Sequence, residues 1–84
     1  MLNIVFFARV KEQLGCTGTQ LVWDDSLTNF PALERRLSEV HGAHWAQVLT
    51  QDNIIRAVNQ AVVESDATLN DGDEVAFFPP VTGG

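Results

Sequence analysis

Cysteine is nearly absent: Cys16 is the only one in 84 residues. One thiol cannot form an internal disulfide, and it excludes a cysteine-ligated iron–sulfur cluster or zinc site. Basic residues are also few, five Lys and Arg against eleven Asp and Glu, for a net charge of −6. The five are scattered, whereas phosphate binding needs clustered cations, so no nucleic-acid partner is expected. An acidic surface suits a partner with a basic face, or serves solubility alone. No apolar run approaches the length of a membrane span, and no membrane association is expected. The opening MLNIVFFARVKEQ carries its charge after the apolar stretch rather than before it. That is the wrong order for a secretory signal, so the expectation is a cytoplasmic protein. Repeats, low-complexity tracts, a phosphate-binding loop, a dinucleotide fingerprint and a Ser/His/Asp set are all missing. A chain this short makes one domain, with little room for a buried enzyme pocket beside its core.

What is present reads as alternating strands around one helix. Leu2–Val10 is rich in branched and aromatic residues and predicts a buried strand. The stretch VKEQLG can form a helical turn ending at Gly15, and Gln20–Trp23 predicts a second strand. Phe30, Leu33, Leu37 and Val40 recur at steps of three and four, which predicts an amphipathic helix. Thr28 or Asn29 can cap its start, Pro31 is tolerated in its first turn, and Gly42 ends it as a left-handed cap. HWAQVLT is read as a short second helix or an irregular link. NIIRAVNQ and AVVES predict strands around a turn at Asn59–Gln60, and Glu74–Phe78 predicts a last strand after the turn Asp71-Gly72-Asp73. Pro79 and Pro80 stop that strand, because neither can donate to a ladder. The fold class is α+β, a mixed sheet with one main helix packed across one face.

The sequence closes on LNDGDEVAFFPPVTGG: an acidic turn, an apolar strand, two prolines and two glycines. With FFAR near the start and AVNQ in the middle, this ending resembles the ubiquitin-like β-grasp family, and within it the small, sulfur-carrying subunits of molybdopterin synthase. The resemblance implies a domain over residues 1–80 and a flexible tail over residues 81–84. It implies that an adenylating enzyme of the ubiquitin-activating type uses ATP to activate the Gly84 carboxylate as a transient glycyl-AMP. Sulfur then replaces AMP to give a thiocarboxylate, and the large synthase subunit takes that sulfur into cyclic pyranopterin monophosphate to form the dithiolene. The assembly implied is a heterotetramer of two small and two large subunits. No permanently bound cofactor or metal is implied, and the catalytic groups belong to the large subunit. The residues suit such chemistry on their own account. A carboxylate must be activated before it is attacked, Gly84 has no Cβ to obstruct the approach, and Gly83 frees the backbone to thread a channel. Val81 and Thr82 would lie in that channel, with Pro79 and Pro80 aiming the tail. Because first and last strands are neighbours in the family, Phe7 and Phe78 are expected together on the uncovered sheet face with Val62 nearby, a partner-binding surface. Ile4, Phe6, Val75 and Phe77 would face inward. Rival readings are a thiamine-type sulfur carrier, a modifier conjugated to other proteins, and a plain binding module.

The remaining candidates carry less. Cys16 could hold a persulfide, but no Cys or His neighbours it in sequence, and packing or a turn is the plainer reading. His41 and His44 flank Gly42 at a helix end and are too few for a metal site. Asp71, Asp73 and Glu74 lack the ligand spacing of a calcium loop and read as a solvated turn. Trp23 and Trp45 read as core or half-buried residues.

Overall fold

Strand β1 (Leu2–Phe6) is an interior strand of the sheet, with a neighbour on each side. The computed structural model describes residues 1–52 and 54–79. After β1 come α1 (Ala8–Leu14), β2 (Gly18–Leu21), α2 (Phe30–His41), α3 (Ala43–Leu49), β3 (Ile55–Val58), β4 (Ala61–Val63) and β5 (Glu74–Phe78). The strands form one mixed sheet in the order β2-β1-β5-β3-β4. Only the central pair is parallel, Phe6 lying beside Phe77; β1 with β2, β3 with β4 and β3 with β5 are antiparallel.

Alternation along the two central strands sends Leu2, Ile4, Phe6, Val75 and Phe77 to one face, where all are buried. That face is covered by Phe30, Leu33 and Leu37 of α2 and by Trp45, Val48 and Leu49 of α3. The aromatic core interlocks edge to face. Phe6 meets Trp45 at 5.3 Å and 84°, and Phe30 meets Phe77 at 5.8 Å and 88°, the arrangement that ring quadrupoles favour.

Several boundaries differ from the sequence expectation. β1 stops at Phe6 rather than Val10, and α1 follows. Phe6 and Val10 are four apart, a step that returns to the same side in both a strand and a helix. Val10 is buried either way, so its position does not discriminate. β2 begins at Gly18 rather than Gln20 because it pairs with Val5 at that point. A Cβ on Gly18 would lie 2.5 Å from the Ile4 carbonyl oxygen, so only glycine lets the two strands close there. Helix α2 begins as expected, with Asn29 Oδ1 accepting from the Ala32 N–H at 2.9 Å. Val40, however, is 59% exposed. At about 100° per residue it has rotated roughly 80° from Phe30, and the buried stripe is Phe30, Leu33, Glu34 and Leu37 instead. Gly42 does end the helix, but with φ 115° and ψ 160° rather than in the left-handed helical region. That corner of backbone space is essentially open to glycine alone, and it lets α3 start at once. The Asn59–Gln60 turn has φ of 50° and 70°, the mirror-image hairpin turn that matches strand twist.

The charged member of the α2 stripe is satisfied inside the fold. Glu34 Oε2 accepts from Arg56 Nε at 2.8 Å, and Arg56 Nη2 donates to the Leu49 carbonyl at 3.2 Å. The guanidinium also lies 5.7 Å from the centre of the Phe30 ring, so one side chain on β3 ties together both main helices. Burial pushes the Glu34 carboxyl above its usual 4.5, with the Arg56 hydrogen bond and charge opposing. A carboxyl raised on folding contributes stability that is complete below the usual value and is lost as pH rises through the folded one. Without Arg56 the opposing contribution disappears and the carboxyl rises further. Arg56→Met is therefore expected to lose about 3 kcal/mol near pH 7 and to recover much of that deficit near pH 4.5, where Glu34 takes up a proton. Urea unfolding at the two pH values measures both. An equal deficit at each would mean that the pair is not what holds the helices.

Candidate functional site

The second face of the sheet has no covering element among the described residues. One row of residues crosses all five strands there: Gly18, Val5, Ala76, Ala57 and Val62. Ala57 and Ala76 are buried although they stand outside the core cluster. Their small side chains are sunk between taller neighbours, so the middle of the face is a shallow trough rather than a ridge.

The next row holds the aromatic pair. Phe7 follows β1 and Phe78 ends β5, and the parallel register sets them side by side. Their rings stack at 4.6 Å with an interplanar angle of 4°. Phe7 is 43% exposed and Phe78 half-buried, so the pair is apolar surface open to a partner. Ile55 extends the row as the strand partner of Phe78. Val62 is 74% exposed on the same face, but it is not part of the aromatic pair. It sits on β4, two strands from β5, at roughly 4.8 Å per strand. Ile55 and the alanines of the trough were missed from sequence. Ile55 could have been found from its register against Phe78, but small residues in a strand carry no signal until neighbours surround them.

Pro79 follows Phe78 directly, so the aromatic pair sits at the root of the segment expected to react. Pro80, Val81, Thr82, Gly83 and Gly84, the rest of that segment, lie outside the described residues.

The other sequence candidates have structural occupations. Cys16 is half-buried and packs against the core. His41 stacks on Trp45 at 4.0 Å and 12°, and His44 Nε2 donates to the Gln13 carbonyl at 2.9 Å, joining α3 to the end of α1. Trp23 is half-buried against the core. The acidic turn is braced by protein donors. Asp71 pairs with the Met1 ammonium. Asp73 accepts from Asn59 Nδ2 at 3.0 Å and from the Asn70 N–H at 2.8 Å. Among the described residues no three His, Cys, Asp or Glu side chains come together as a metal site. An open groove of about 490 Å³ along α2 and α3 lies on the helical side, away from the aromatic pair. No helix among the described residues is long and apolar enough to cross a membrane.

This architecture is a ubiquitin-like β-grasp. It superposes with a TM-score of 0.78 on the crystal structure of SAMP1 from Haloferax volcanii, 26% identical, covering 99% of this chain and 98% of that one. A chain in the complex of subunits 1 and 2 of molybdopterin-converting factor from Helicobacter pylori 26695 shares the fold, with a TM-score of 0.65 and 21% identity over 99% of this chain and 97% of that one. The molybdopterin synthase sulfur carrier subunit of Escherichia coli (strain K12) is 43% identical over 86 residues, covering 100% of both chains. The model of the ThiS family matches residues 4–84, and the chain belongs to that family.

The two faces make opposite demands on adjacent residues. Phe77→Ala, which empties the core, is expected to cost about 3–5 kcal/mol. Phe78→Ala, which loses chiefly a stacked and partly solvated ring, is expected to cost about 0.5–1.5 kcal/mol. Denaturant unfolding of the two variants checks the assignment; similar losses would mean the faces are inverted.

Proposed function

We propose that this chain is the sulfur carrier of a molybdopterin synthase, a domain that docks through the Phe7–Phe78 face and presents a glycine carboxylate as its reacting group. The observation that carries the reading is the stacked aromatic pair on the uncovered sheet face, one residue before Pro79. The full-length likeness to a relative named as the sulfur carrier subunit supports it, as does a family match that runs through Gly83 and Gly84.

The chemistry proposed has three steps. A carboxylate oxygen of Gly84 attacks the α-phosphorus of ATP on an adenylating enzyme of the ubiquitin-activating type, and pyrophosphate leaves. Sulfur at the sulfide level (HS⁻ in the simplest case) then attacks the carbonyl, the C–O bond to AMP breaks, and a thiocarboxylate remains. On the large subunit that sulfur passes to cyclic pyranopterin monophosphate, and water restores the carboxylate. The domain contributes position rather than acid–base groups. Phe7 and Phe78, with Val62 at the margin, form the docking surface; Pro79 and Pro80 aim the tail; Val81 and Thr82 thread the large subunit's channel with Gly83. Two carriers and two large subunits make the proposed heterotetramer, working in the cytoplasm where ATP is at hand. None of the three steps calls for a cofactor held by this chain.

Three variants at the terminus test the reading: Gly84→Ala, deletion of Gly84, and an extension beyond it. Each is expected to melt within about 0.5 kcal/mol of the parent. Each should also bind the large subunit like the parent, yet take up sulfur at least about a hundredfold more slowly, because a reacting centre misplaced by about 1 Å loses that much rate. Intact mass after incubation with ATP, a sulfur source and the activating enzyme reads the exchange of one oxygen for sulfur. Sulfuration of the uncleaved extension at the parental rate would refute the reading. A stable adduct on lysines of other proteins would make the chain a modifier instead. Phe78→Ala should keep the sulfur uptake chemistry but weaken binding to the large subunit at least about tenfold, as expected for an aromatic anchor near the centre of an interface. Isothermal titration with the large subunit measures it.

A further inference from the structure

Three residues other than glycine have a positive φ among the described residues: Ala8 at 52°, Asn59 at 50° and Gln60 at 70°. Asn59 and Gln60 are the central pair of the β3–β4 hairpin, whose turn requires both. Ala8 has no such reason. A methyl group offers none of the local hydrogen bonding by which Asn or Asp eases this conformation. Ala8 is also exposed, so core packing does not force it. An outlier of this kind persists only where its surroundings over-determine it.

Those surroundings belong to Phe7. Its backbone is extended, φ −124° and ψ 149°. Its N–H donates to the Phe77 carbonyl at 3.2 Å, continuing the β1–β5 ladder beyond the end of β1. Its own carbonyl accepts from the N–H groups of Val10 and Lys11 at 3.2 and 3.5 Å, opening α1. Phe7 is thus sheet on one side and helix on the other, and the left-handed step at Ala8 makes the change of direction. With backbone held from both sides, the Phe7 ring lies flat on Phe78 at 4.6 Å, and Phe78 is the last residue before Pro79.

We propose that Ala8 is a positioning residue for sulfur transfer: its left-handed backbone locks Phe7 flat against Phe78 and so fixes the root from which the chain continues through Pro79. This rests on the sulfur-carrier reading above. Docking strength comes from the apolar area of the two rings, whereas alignment comes from their being locked, so the two can be separated by experiment.

The test compares Ala8→Asn, which tolerates the left-handed region, with Ala8→Val, whose branched side chain does not. Phe7→Leu is a third variant that keeps apolar area and backbone but removes the stacked ring. Ring-current shifts of the Phe78 ring protons report the stack in the free protein. Chains carrying a preformed C-terminal thiocarboxylate are then mixed with the large subunit and cyclic pyranopterin monophosphate, and single-turnover product formation is followed at saturating large subunit beside the dissociation constant. Ala8→Asn is expected to match the parent throughout. Ala8→Val and Phe7→Leu are expected to lose the ring-current shift and to transfer sulfur at least about tenfold more slowly at saturation; for Ala8→Val, which leaves both rings in place, the dissociation constant is expected to change by less than about threefold. Should Ala8→Val fail to fold, Phe7→Leu carries the same comparison. Parental rates in variants that have lost the stack would overturn the proposal, as would an intact stack in folded Ala8→Val. If the parental thiocarboxylate itself gives no product, the sulfur-carrier reading falls and this inference falls with it; slow transfer confined to the variants separates the two cases.

Discussion

The parallel pairing of β1 with β5 is the constraint on which the rest of the molecule depends. These two strands occupy the centre of the sheet, although nearly the whole chain lies between them. Their inward residues supply the floor on which α2 and α3 pack. Their outward residues supply Val5, Ala76 and the Phe7–Phe78 pair. One register therefore sets both the core and the proposed docking face, and a slip by a single residue would exchange them. It also delivers the end of β5 to the same edge of the sheet as the end of β1, which is why a ring from the start of the chain can rest on the last residue before Pro79.

The helical layer is held to this floor by apolar contact and by one polar bracket. Arg56 reaches from β3 to Glu34 on α2 and to the carbonyl that closes α3. A buried pair of this kind adds little net stability, because desolvation offsets most of the attraction. Its contribution is geometric. The guanidinium satisfies a carboxylate and a helix-end carbonyl at once, which fixes the angle between two helices that only Gly42 separates.

Local physics made much of this legible in the sequence. Helix α2 announced itself through Asn29, Pro31 and the spacing of Phe30, Leu33 and Leu37. The Asn59–Gln60 hairpin and the alternation in β5 were equally plain, because each depends on residues close in sequence. What stayed hidden depends on residues far apart. Val10 sat at a spacing common to strand and helix, so the break at Ala8 was invisible. Nothing in the sequence pairs Glu34 with Arg56, 22 residues apart, until the fold brings them together. Val40 continued an apolar repeat but stands exposed, outside the buried stripe of α2. On the site, alternation separated Phe77 from Phe78, whereas the distance of Val62 from the aromatic pair and the trough of alanines follow only from strand order. The glycine terminus spoke through chemistry and resemblance rather than through packing.

The place of β5 in the sheet has a consequence for the life of the protein in a cell. A chain cut anywhere before Glu74 loses not an edge but the middle of its sheet, and with it Val75 and Phe77 from the core. Such a fragment has no floor for its helices and stays a target for proteases. A tailless fragment of that kind cannot survive as a folded competitor that docks without a group to deliver. With the proposed docking face and the lead-in to the tail on the same strand, a fragment cut before Glu74 cannot fold into a dominant-negative competitor.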